Sequence, residues 1–292
     1  MSRITVVGSS NTDMVVKTPR FPQPGETLLG GEFFLFAGGK GANQAVAAAR
    51  LGGQVRFVAR VGDDVFGRQA VEGFGREGID CSHISVDPKL ASGTALITVN
   101  GEGENTIVVA SGANAALSVE SITKLDLEED EYVLTQLETP LETVLELVKH
   151  TDRLILNPAP ATDLPDTVFD GLFMITPNET ETQLLTGVRV TDETSAAQAA
   201  ELLQSKGVQH VIITLGAAGA FYLGPGTSFM TPAPRVAAVD TTAAGDVFNG
   251  ALVVALARGE DIRDAIAFAV RAASVAVTRM GAQDSAPRLS DL

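Results

Sequence analysis

Cysteine, long apolar runs and positive charge are all scarce in this chain of 292 residues. The single cysteine, Cys81, excludes an internal disulfide framework and is typical of a reducing compartment. No apolar run approaches the roughly 18 residues that a membrane-spanning helix needs. Lys and Arg number 21 against 36 Asp and Glu, and the net charge of -15 argues against binding to nucleic acids or anionic membranes, which require basic surfaces.

Several motifs that would define a chemistry are also missing. The segment Gly8-Ser9-Ser10-Asn11 lacks the G-x-G-x-x-G pattern of dinucleotide-binding folds, which weighs against a dehydrogenase. The loop 38–43 is not a Walker A loop, because Ala follows Gly41 where that motif requires Lys-Ser or Lys-Thr. There is no metal-ligand spacing of Cys and His and no Gly-x-Ser-x-Gly elbow.

Strand-like and helix-like segments alternate along most of the chain. The predicted strands are Ile4–Gly8, Val55–Val61, Tyr132–Gln136, Arg153–Leu156, Leu172–Thr176 and His210–Leu215. The predicted helices are Ala42–Leu51, Phe66–Glu77, Leu141–His150, Glu179–Thr186, Ser195–Lys206, Val247–Ala257 and Ile262–Thr278. This alternation predicts an α/β fold with a doubly wound, mainly parallel sheet flanked by helices. No linker or repeat interrupts it, so we expect one domain, residues 1–292, and the strand-like N-terminus favours a cytoplasmic protein over a secreted one.

Two segments break the alternation and predict a small β-sheet that projects from the main domain. Residues 13–36 contain two short strands around the turn Pro22–Gly25, and residues 92–110 contain the hairpin Thr94–Val99 and Asn105–Ala110. The run Phe33–Phe36 is apolar on both faces. We expect substrate to cover one face and a second subunit the other, with burial against the main domain as an equal alternative.

The stretch Asp240–Gly250 gives the clearest indication of chemistry. Its small residues Ala243, Ala244 and Gly245 let a backbone approach a ligand closely, and the first N–H groups of the helix that follows can hold an anion. Asp246 beside that anion hole suits phosphoryl transfer to a hydroxyl, since the carboxylate takes the proton and the N–H groups receive the negative charge. The alternative is that Asp246 is only a helix N-cap.

Polar residues follow other predicted strands, where α/β folds bind ligands. Asp13, in Asn11-Thr12-Asp13, either accepts hydrogen bonds from sugar hydroxyls or stabilises a turn. In the loop 38–43 the glycines allow close backbone approach and Asn43 can bind a polyol, while Lys40 belongs to this site or is a solvated charge. Glu138 ends another strand and can reach the same pocket.

Two further segments suit a nucleotide. Asn178 and Glu181 share one face of a helix start and could hold the water shell of a phosphate-bound Mg²⁺, although the same spacing is that of a capping box. The segment 214–219 is a strand end followed by a Gly-rich turn, which fits nucleotide phosphates or ribose as well as it fits an ordinary β-turn.

The order and spacing of these segments, over nearly the whole chain, resemble the ribokinase (PfkB-type carbohydrate kinase) family. The combination of Gly-Gly-Lys-Gly-Ala-Asn at 38–43, Asp-Thr-Thr-Ala-Ala-Gly-Asp at 240–246 and Val-Thr-Arg-Met-Gly-Ala-Gln at 277–283 is most similar to the ribokinase branch of that family. Val247 and Met280 stand where many members have Thr and Lys, but neither touches a role assigned below.

The resemblance implies ATP-dependent phosphorylation of D-ribose at O5. Asp246 would be the base, and the N–H groups of Ala243, Ala244 and Gly245 would form the anion hole. The implied sugar-binding residues are Asn11, Thr12, Asp13, Gly39, Lys40, Gly41, Ala42, Asn43 and Glu138. The implied residues for ATP and its Mg²⁺ are Asn178, Glu181, Thr214, Leu215, Gly216, Ala217, Ala218, Gly219, Gly245 and Val270.

The resemblance also implies a K⁺ site, a lid and a homodimer. The implied K⁺ ligands are Asp240, Thr242, Ala276, Arg279, Gly281 and Ser285. The projecting sheet would be a lid that closes on the sugar and pairs two subunits. Three other functions stay open: a kinase of deoxyribose, a nucleoside or another furanose; a non-catalytic sugar-binding protein, which the intact Asp246 and Gly245 disfavour; and a dinucleotide-dependent oxidoreductase, which the missing glycine pattern disfavours.

Overall fold

A nine-stranded sheet forms the centre of the computed structural model, which describes all 292 residues. The strands of the chain are β1 (Ile4–Val7), β2 (Asn11–Lys17), β3 (Glu32–Gly38), β4 (Val55–Gly62), β5 (Ile84–Asp87), β6 (Gly93–Val99), β7 (Asn105–Ala110), β8 (Tyr132–Thr135), β9 (Leu154–Leu156), β10 (Met174–Ile175), β11 (His210–Thr214), β12 (Ala220–Gly224) and β13 (Thr227–Thr231). The order in the large sheet is β13-β12-β11-β10-β9-β8-β1-β4-β5. The seven strands from β11 to β5 in this order run parallel to one another, whereas β12 pairs antiparallel with both β11 and β13. The predicted mainly parallel sheet is therefore confirmed.

Helices cover both faces of this sheet. They are α1 (Lys40–Arg50), α2 (Val65–Arg76), α3 (Val119–Thr123), α4 (Leu141–His150), α5 (Glu179–Thr186), α6 (Glu193–Ser205), α7 (Ala244–Ala257) and α8 (Ile262–Ala276). One core of 37 buried residues lies between the sheet and α1, α7 and α8. A second core of 23 residues lies under α4 and α6. None of the helices combines the length and the apolar character needed to span a bilayer.

Strand β11 shows why these strands form continuous apolar runs. Ile212 faces the first core, whereas Val211 and Ile213 face the second, and all three are fully buried. Alternate side chains of a strand point to opposite faces, so a strand with helices on both sides must be apolar at every position. Each such side chain contributes about 1.5–3 kcal/mol by burial.

The strand order reverses beside β1, and the predicted functional residues lie at this reversal. From β1 the chain goes to β4 on one side, while β8, β9, β10 and β11 follow one another on the other side. Between β1 and β8 the loops at the carboxyl ends of the strands therefore diverge and leave a crevice. Asn11 follows β1 at this crevice, and Glu138 follows β8.

A separate four-stranded sheet, in the order β3-β2-β6-β7, begins immediately beyond β1. It contains the strands that were predicted within 13–36 and 92–110. The side chains of Phe33 and Leu35 are 58% and 52% exposed, so the alternative that this run is buried against the main sheet is wrong for these two residues. On the other face the rings of Phe34 and Phe36 stack at 6.0 Å and are half-buried.

Four features differ from the sequence prediction or were missed. The antiparallel hairpin of β12 and β13 was not predicted, nor were β5 and the short helix α3. Helix α7 begins at Ala244, three residues before the predicted start at Val247. This earlier start places Asp246 inside the helix rather than just before it.

Candidate active site

Asp246 lies in the first turn of α7, as the third residue of the helix, and its carboxylate is held from one side by α1. Asn43 Nδ2 donates to Asp246 Oδ2 at 2.9 Å, and Gln44 Nε2 donates to Asp246 Oδ1 at 3.0 Å. The residue is 6% exposed. The N-cap of α7 is Ala243, so the alternative that Asp246 only caps the helix is wrong.

The turn before α7 has an unusual backbone conformation. Ala243 has a φ of +58° and is the one non-glycine residue of the chain in the left-handed region. Such conformations cost about 1–3 kcal/mol and are concentrated at functional sites. Ala244 N–H donates to Thr241 O at 3.3 Å, whereas the N–H of Gly245 has no intrahelical partner by its position in the first turn. The anion-hole role of these residues stays a prediction.

The carboxylates of Asp13, Glu138 and Asp246 lie close enough for their charges to interact. Burial, and then the charges of Glu138 and Asp246, raise the pKa of Asp13 to about 6. Burial also raises the pKa of Asp246, against the opposing effects of the Lys40 charge and of the hydrogen bonds from Asn43 and Gln44. The concentration of negative charge suits a ligand rich in hydroxyl donors, which can bond to carboxylates without adding charge.

Glu138 joins the end of β8 to the start of α1. Its Oε2 accepts hydrogen bonds from Ser9 Oγ at 2.5 Å and from the N–H of Lys40 at 2.9 Å. The N–H of Lys40 is the first of the helix, so the carboxylate satisfies a donor that has no intrahelical partner and lies where the helix dipole favours negative charge. Glu138 therefore has a structural task in addition to its predicted contact with a sugar.

A cavity of about 480 Å³ opens beside Asn11 and Glu138, next to Val109 of the small sheet. Asn114, which sequence reasoning missed, also lines it. Asn114 Oδ1 accepts from Ser10 N–H at 2.9 Å, and its Nδ2 donates to Asn11 Oδ1 at 2.8 Å. Asn114 thereby fixes the side chain of a predicted sugar-binding residue. It lies in a short 3₁₀ segment whose sequence has no recognised motif.

A second cavity, of about 170 Å³, connects Asp246 with the predicted nucleotide residues. It is lined by Lys40, Asn157, Ala159, Thr176, Asn178, Glu181, Thr214, Thr241, Ala243, Ala244, Gly245, Asp246 and Asn249. Three predicted groups of residues thus meet here: the loop before α1, the start of α5 and the start of α7. Asn157, Thr176 and Asn249 are additions that sequence reasoning missed.

Asn178 and Glu181 form the capping box of α5. Asn178 Oδ1 accepts from Glu181 N–H at 2.8 Å, and Glu181 Oε2 accepts from Asn178 N–H at 2.9 Å. Glu181 is buried, which raises its pKa. The capping-box interpretation is therefore correct, but both residues also line the second cavity, so it does not replace the predicted role near phosphates.

A third and more apolar cavity, of about 590 Å³, continues from the second and contains much of the predicted nucleotide site. Of the predicted residues it is lined by Asn178, Thr214, Gly216, Ala217, Gly219, Gly245 and Val270. Leu215 and Ala218 do not line it, and Leu215 packs on the second core instead. Its other wall consists of the loop 233–238 with Phe248, Ala273, Ser274 and Val277, which sequence reasoning missed because small apolar residues on a helix also suit a core.

The predicted K⁺ ligands lie in two adjacent loops. Asp240 accepts hydrogen bonds from Thr242 N–H and Gly281 N–H, each at 2.9 Å. Burial opposes ionisation, but these hydrogen bonds outweigh it and lower the pKa of Asp240. Ala276 O accepts from Arg279 N–H at 2.9 Å, and the fully buried Ser285 hydroxyl donates to Ala282 O at 2.8 Å. The structure brings Asp240, Thr242 and Gly281 into direct contact, and the carbonyl and hydroxyl oxygens of the set keep lone pairs for a cation.

Comparison with known proteins agrees with this geometry. Residues 1–289 match the model of the pfkB family carbohydrate kinases. The chain is 46% identical over 290 residues to a protein of Haemophilus influenzae named ribokinase, covering 97% of this chain and 95% of that protein. It is 38% identical over 293 residues to a deoxyribokinase of Salmonella typhi, covering 98% and 96% of the two chains. The structure of Arabidopsis thaliana ribokinase complexed with ribose and ATP superposes with a TM-score of 0.90 at 30% identity, covering 99% of this chain and 97% of that one.

Proposed function

The chain belongs to the pfkB family of carbohydrate kinases, and we propose that it uses ATP to phosphorylate D-ribose at O5. The observation that carries the proposal is the position of Asp246, which is buried in the first turn of α7 and lines the cavity of about 170 Å³ that shares Asn178 and Gly245 with the larger, more apolar one. The similarity to proteins named ribokinase, and to one in complex with ribose and ATP, supports the choice of substrates.

In the proposed reaction Asp246 accepts the proton of the ribose 5-hydroxyl. The oxygen attacks the γ-phosphorus of ATP, a new O–P bond forms, and the bond to the bridging oxygen breaks so that ADP leaves with its electron pair. The backbone N–H groups at Ala243 and Gly245 stabilise the negative charge on the transferred group. The carboxylate must be ionised to act, and the donors Asn43 and Gln44 favour that form.

The sugar occupies the crevice between the main and small sheets. Asn11 and Asp13 bind adjacent hydroxyls, and Asn43 and Glu138 bind others, with close backbone approach at 39–42. Because Asp13 is ionised above a pH of about 6, it accepts hydrogen bonds from hydroxyls most effectively at neutral pH.

The nucleotide occupies the apolar cavity, with its phosphates directed towards Asp246 through the smaller one. Mg²⁺ would lie near Asn178 and Glu181 and would neutralise charge on the phosphates. These residues would contact Mg²⁺ through water molecules, because the Asn178 and Glu181 side chains already hydrogen-bond to each other and Mg²⁺ retains several waters in protein sites. The first turn of α7 and the Lys40 side chain supply positive potential for the γ-phosphate.

K⁺ would be held by Asp240 and Ser285 with the carbonyl oxygens of Thr242, Ala276, Arg279 and Gly281. The donor set fits, because it consists of hard oxygens with one carboxylate that hydrogen bonds keep ionised. Bound there, the ion would stabilise the loop that leads into the anion hole.

The proposal includes the organisation of the whole protein. Residues 1–292 form one ribokinase-like domain, and the segments 13–36 and 92–110 form a lid over the sugar. The exposed apolar side chains on the outer face of the small sheet support a homodimer through this lid. ATP and ribose, rather than nucleic acid or membrane, are the proposed partners, and an ATP-consuming enzyme of this kind belongs in the cytoplasm.

A kinase of deoxyribose is the second candidate, because a deoxyribokinase is 38% identical to the chain. The pair Asn11 and Asp13 favours ribose, because both side chains are proposed to bind adjacent hydroxyls. If the sugar lacks one of these hydroxyls, one polar side chain has no hydrogen-bond partner. Discrimination of this kind reaches several orders of magnitude when the unpaired groups are buried.

The test is ADP release from Mg-ATP with ribose, deoxyribose, fructose and adenosine, each in K⁺ and in Na⁺. Turnover with ribose that exceeds turnover with the other acceptors, and that K⁺ enhances, is expected. A preference for another acceptor would retain the kinase chemistry and overturn the substrate. Binding of ribose without turnover of any acceptor would favour a sugar-binding protein.

A further inference from the structure

Gln44, the residue after Asn43 in α1, is fully buried and uses its whole amide in side-chain hydrogen bonds. Its Nε2 donates to Asp246 Oδ1 and to Asn157 Oδ1, each at 3.0 Å. Its Oε1 accepts from Gln136 Nε2 at 2.6 Å. A buried amide is tolerated only when its donors and acceptor are satisfied, and here both N–H groups and the carbonyl are. Gln44 lines none of the three cavities, so its contacts concern the protein rather than a ligand.

The contact with Asn157 continues as a chain of hydrogen bonds to the anion-hole turn. Asn157 Nδ2 donates to Thr176 O at 3.2 Å, and Thr176 Oγ1 donates to Asn249 Oδ1 at 2.7 Å. Asn249 Nδ2 then donates to Gly245 O at 2.8 Å. Gln136, Asn157 and Thr176 follow β8, β9 and β10, so consecutive parallel strands each contribute one polar group to this layer beneath the site.

We propose that Gln44 is a positioning residue for phosphoryl transfer: it fixes the orientation of the Asp246 carboxylate, stabilises its ionised form and ties it to the Gly245 turn. The inference rests on the proposed role of Asp246 as the base. The two amide donors bind different oxygens of the carboxylate. Asn43 holds Oδ2 and is a predicted sugar contact, whereas Gln44 holds Oδ1 from the side that faces the protein interior. With Oδ1 fixed in this way, a lone pair of the carboxylate stays directed into the site.

The charged groups around Asp246 make this hydrogen bond important. Glu138 and Asp13 face it from the sugar side, Glu181 from the nucleotide side and Lys40 from α1. Three of these four groups are acidic and favour protonation of Asp246, as does burial. Hydrogen bonds to an ionised group are stronger than those between neutral groups, and Gln44 is one of the two amides that donate to this carboxylate.

The variant Gln44→Met removes both donors and nearly conserves volume. With whichever acceptor the wild type phosphorylates, we expect kcat to fall about 10- to 100-fold at neutral pH. The acidic limb of the kcat–pH profile should move upward by about one pH unit, which corresponds to a tenfold decrease in the acid dissociation constant of the carboxyl group. Dissociation constants for sugar and nucleotide, measured by calorimetry, should change less than about threefold. A merely structural role would lower the melting temperature without moving the acidic limb.

Gln136→Met is the matched control, because it removes a buried amide from the same layer but no direct donor to Asp246. Its melting temperature should fall, and its acidic limb should stay in place. A folded Gln44→Met enzyme with the wild-type pH profile and kcat would overturn the inference. If Gln44→Met does not fold, Gln44→Glu conserves the shape and adds a carboxylate beside Asp246, which should move the limb further.

Loss of folding in both Gln44 variants while Gln136→Met folds would also overturn the inference, since Gln44 would then be required for folding alone. Failure of the proposed function is separate from these outcomes. It appears in the wild type as a different acceptor or no turnover, and in Asp246→Asn as retained turnover.

Discussion

At the position of Asp246 the requirements of folding and of the proposed chemistry oppose each other. Burial favours the neutral carboxyl, whereas a proton acceptor must be ionised. The amide donors of Asn43 and Gln44, with the charge of Lys40, shift the balance back towards the ionised form. At Ala243 the backbone is unfavourable for folding, because an alanine adopts a left-handed conformation that favours glycine. This residue stands where the turn leads into α7, and such conformations are concentrated at functional sites.

Replacing Asp246 by asparagine tests the base directly. Asp246→Asn conserves shape and removes the proton acceptor, so kcat should fall by about 10²–10⁴, the usual contribution of a positioned base. Binding of sugar and nucleotide, measured by calorimetry, should be retained because the cavities are unchanged. Near-normal turnover in this variant would contradict the assignment.

Asp13 is expected to lower the stability of the protein at neutral pH. Its pKa is raised from 3.8 to about 6, so between these values the folded state binds more protons than the unfolded state. The free energy of unfolding therefore falls as the pH rises through this window. Asp13→Asn removes the buried charge and should raise the free energy of unfolding by about 1–3 kcal/mol at pH 8, while weakening ribose binding.

The gain in stability should largely disappear near pH 4, where the wild-type carboxyl is protonated in the folded state and about half protonated in the unfolded state. Asp63→Asn is the matched control, because Asp63 is 64% exposed and its pairing with Arg68 is a surface ion pair. Denaturant titrations at pH 4 and 8 measure both variants. Equal gains at the two pH values would show that the charge of Asp13 is not the cause.

Residue types and spacing predict the polar groups at the strand ends, but not every partner that they meet. Asn11, Glu138 and Asn178 follow predicted strands, and the structure places Asn11 and Glu138 in one cavity and Asn178 in another. Gln44 could not be assigned because its neighbours in α1 are mostly alanines and its partners Gln136, Asn157 and Asp246 are 92 to 202 residues away. Asn114 was missed for the same reason, since its partners lie 103 and 104 residues away.

Among the elements, α1 depends on one close approach to the main sheet. A methyl group at Gly41 would lie 2.6 Å from the carbonyl carbon of Gly8 and from the amide nitrogen of Ser9. These are backbone atoms and cannot rotate away. Gly41→Ala should therefore displace the start of α1, destabilise the fold by about 1–3 kcal/mol and raise the KM for ribose, because Asn43 and the Lys40 N–H move with the helix.

Gly75→Ala in α2 is the control for this prediction, since a methyl group there would meet no atom within 4 Å. At an open helical position alanine is expected to stabilise by up to about 1 kcal/mol, with unchanged KM. Thermal melts and steady-state kinetics compare the two variants. If Gly41→Ala behaves like Gly75→Ala, the close approach does not position the sugar site.

The elements that the sequence predicted well are those with a clear period and a clear end. The strands buried on both faces and the amphipathic helices were found, because their apolar patterns reflect the two cores. The hairpin of β12 and β13 was missed, since each strand has only five residues and the Gly-Pro-Gly segment at 224–226 between them resembles a loop. The start of α7 was placed too late because small residues at 244 and 245 give no apolar period, and only the left-handed Ala243 marks the true boundary.

At the scale of the whole molecule, an acidic protein is proposed to bind an acidic nucleotide. The net charge of -15 repels ATP at long range. Binding therefore has to depend on groups that contact the nucleotide at short range, where salt does not screen them. The first turn of α7 and Lys40 are such groups, and both line the cavity beside Asp246. The topology explains why they meet, because α1 and α7 start at the carboxyl edge of the sheet, near the reversal between β1 and β8.

The outer face of the small sheet carries the last prediction. Leu35, Met14, Leu96 and Val108 lie opposite one another across its four strands, and three of them are more than half exposed. An apolar row of this kind suits a self-complementary contact between two copies of the chain. Leu96→Glu should convert the proposed dimer to a monomer in sedimentation velocity and raise the KM for ribose, because the proposed lid loses the support of the second subunit. Leu202→Glu, at an exposed site on α6, should leave a dimer. A wild-type monomer, or a Leu96→Glu dimer, would contradict the proposed interface.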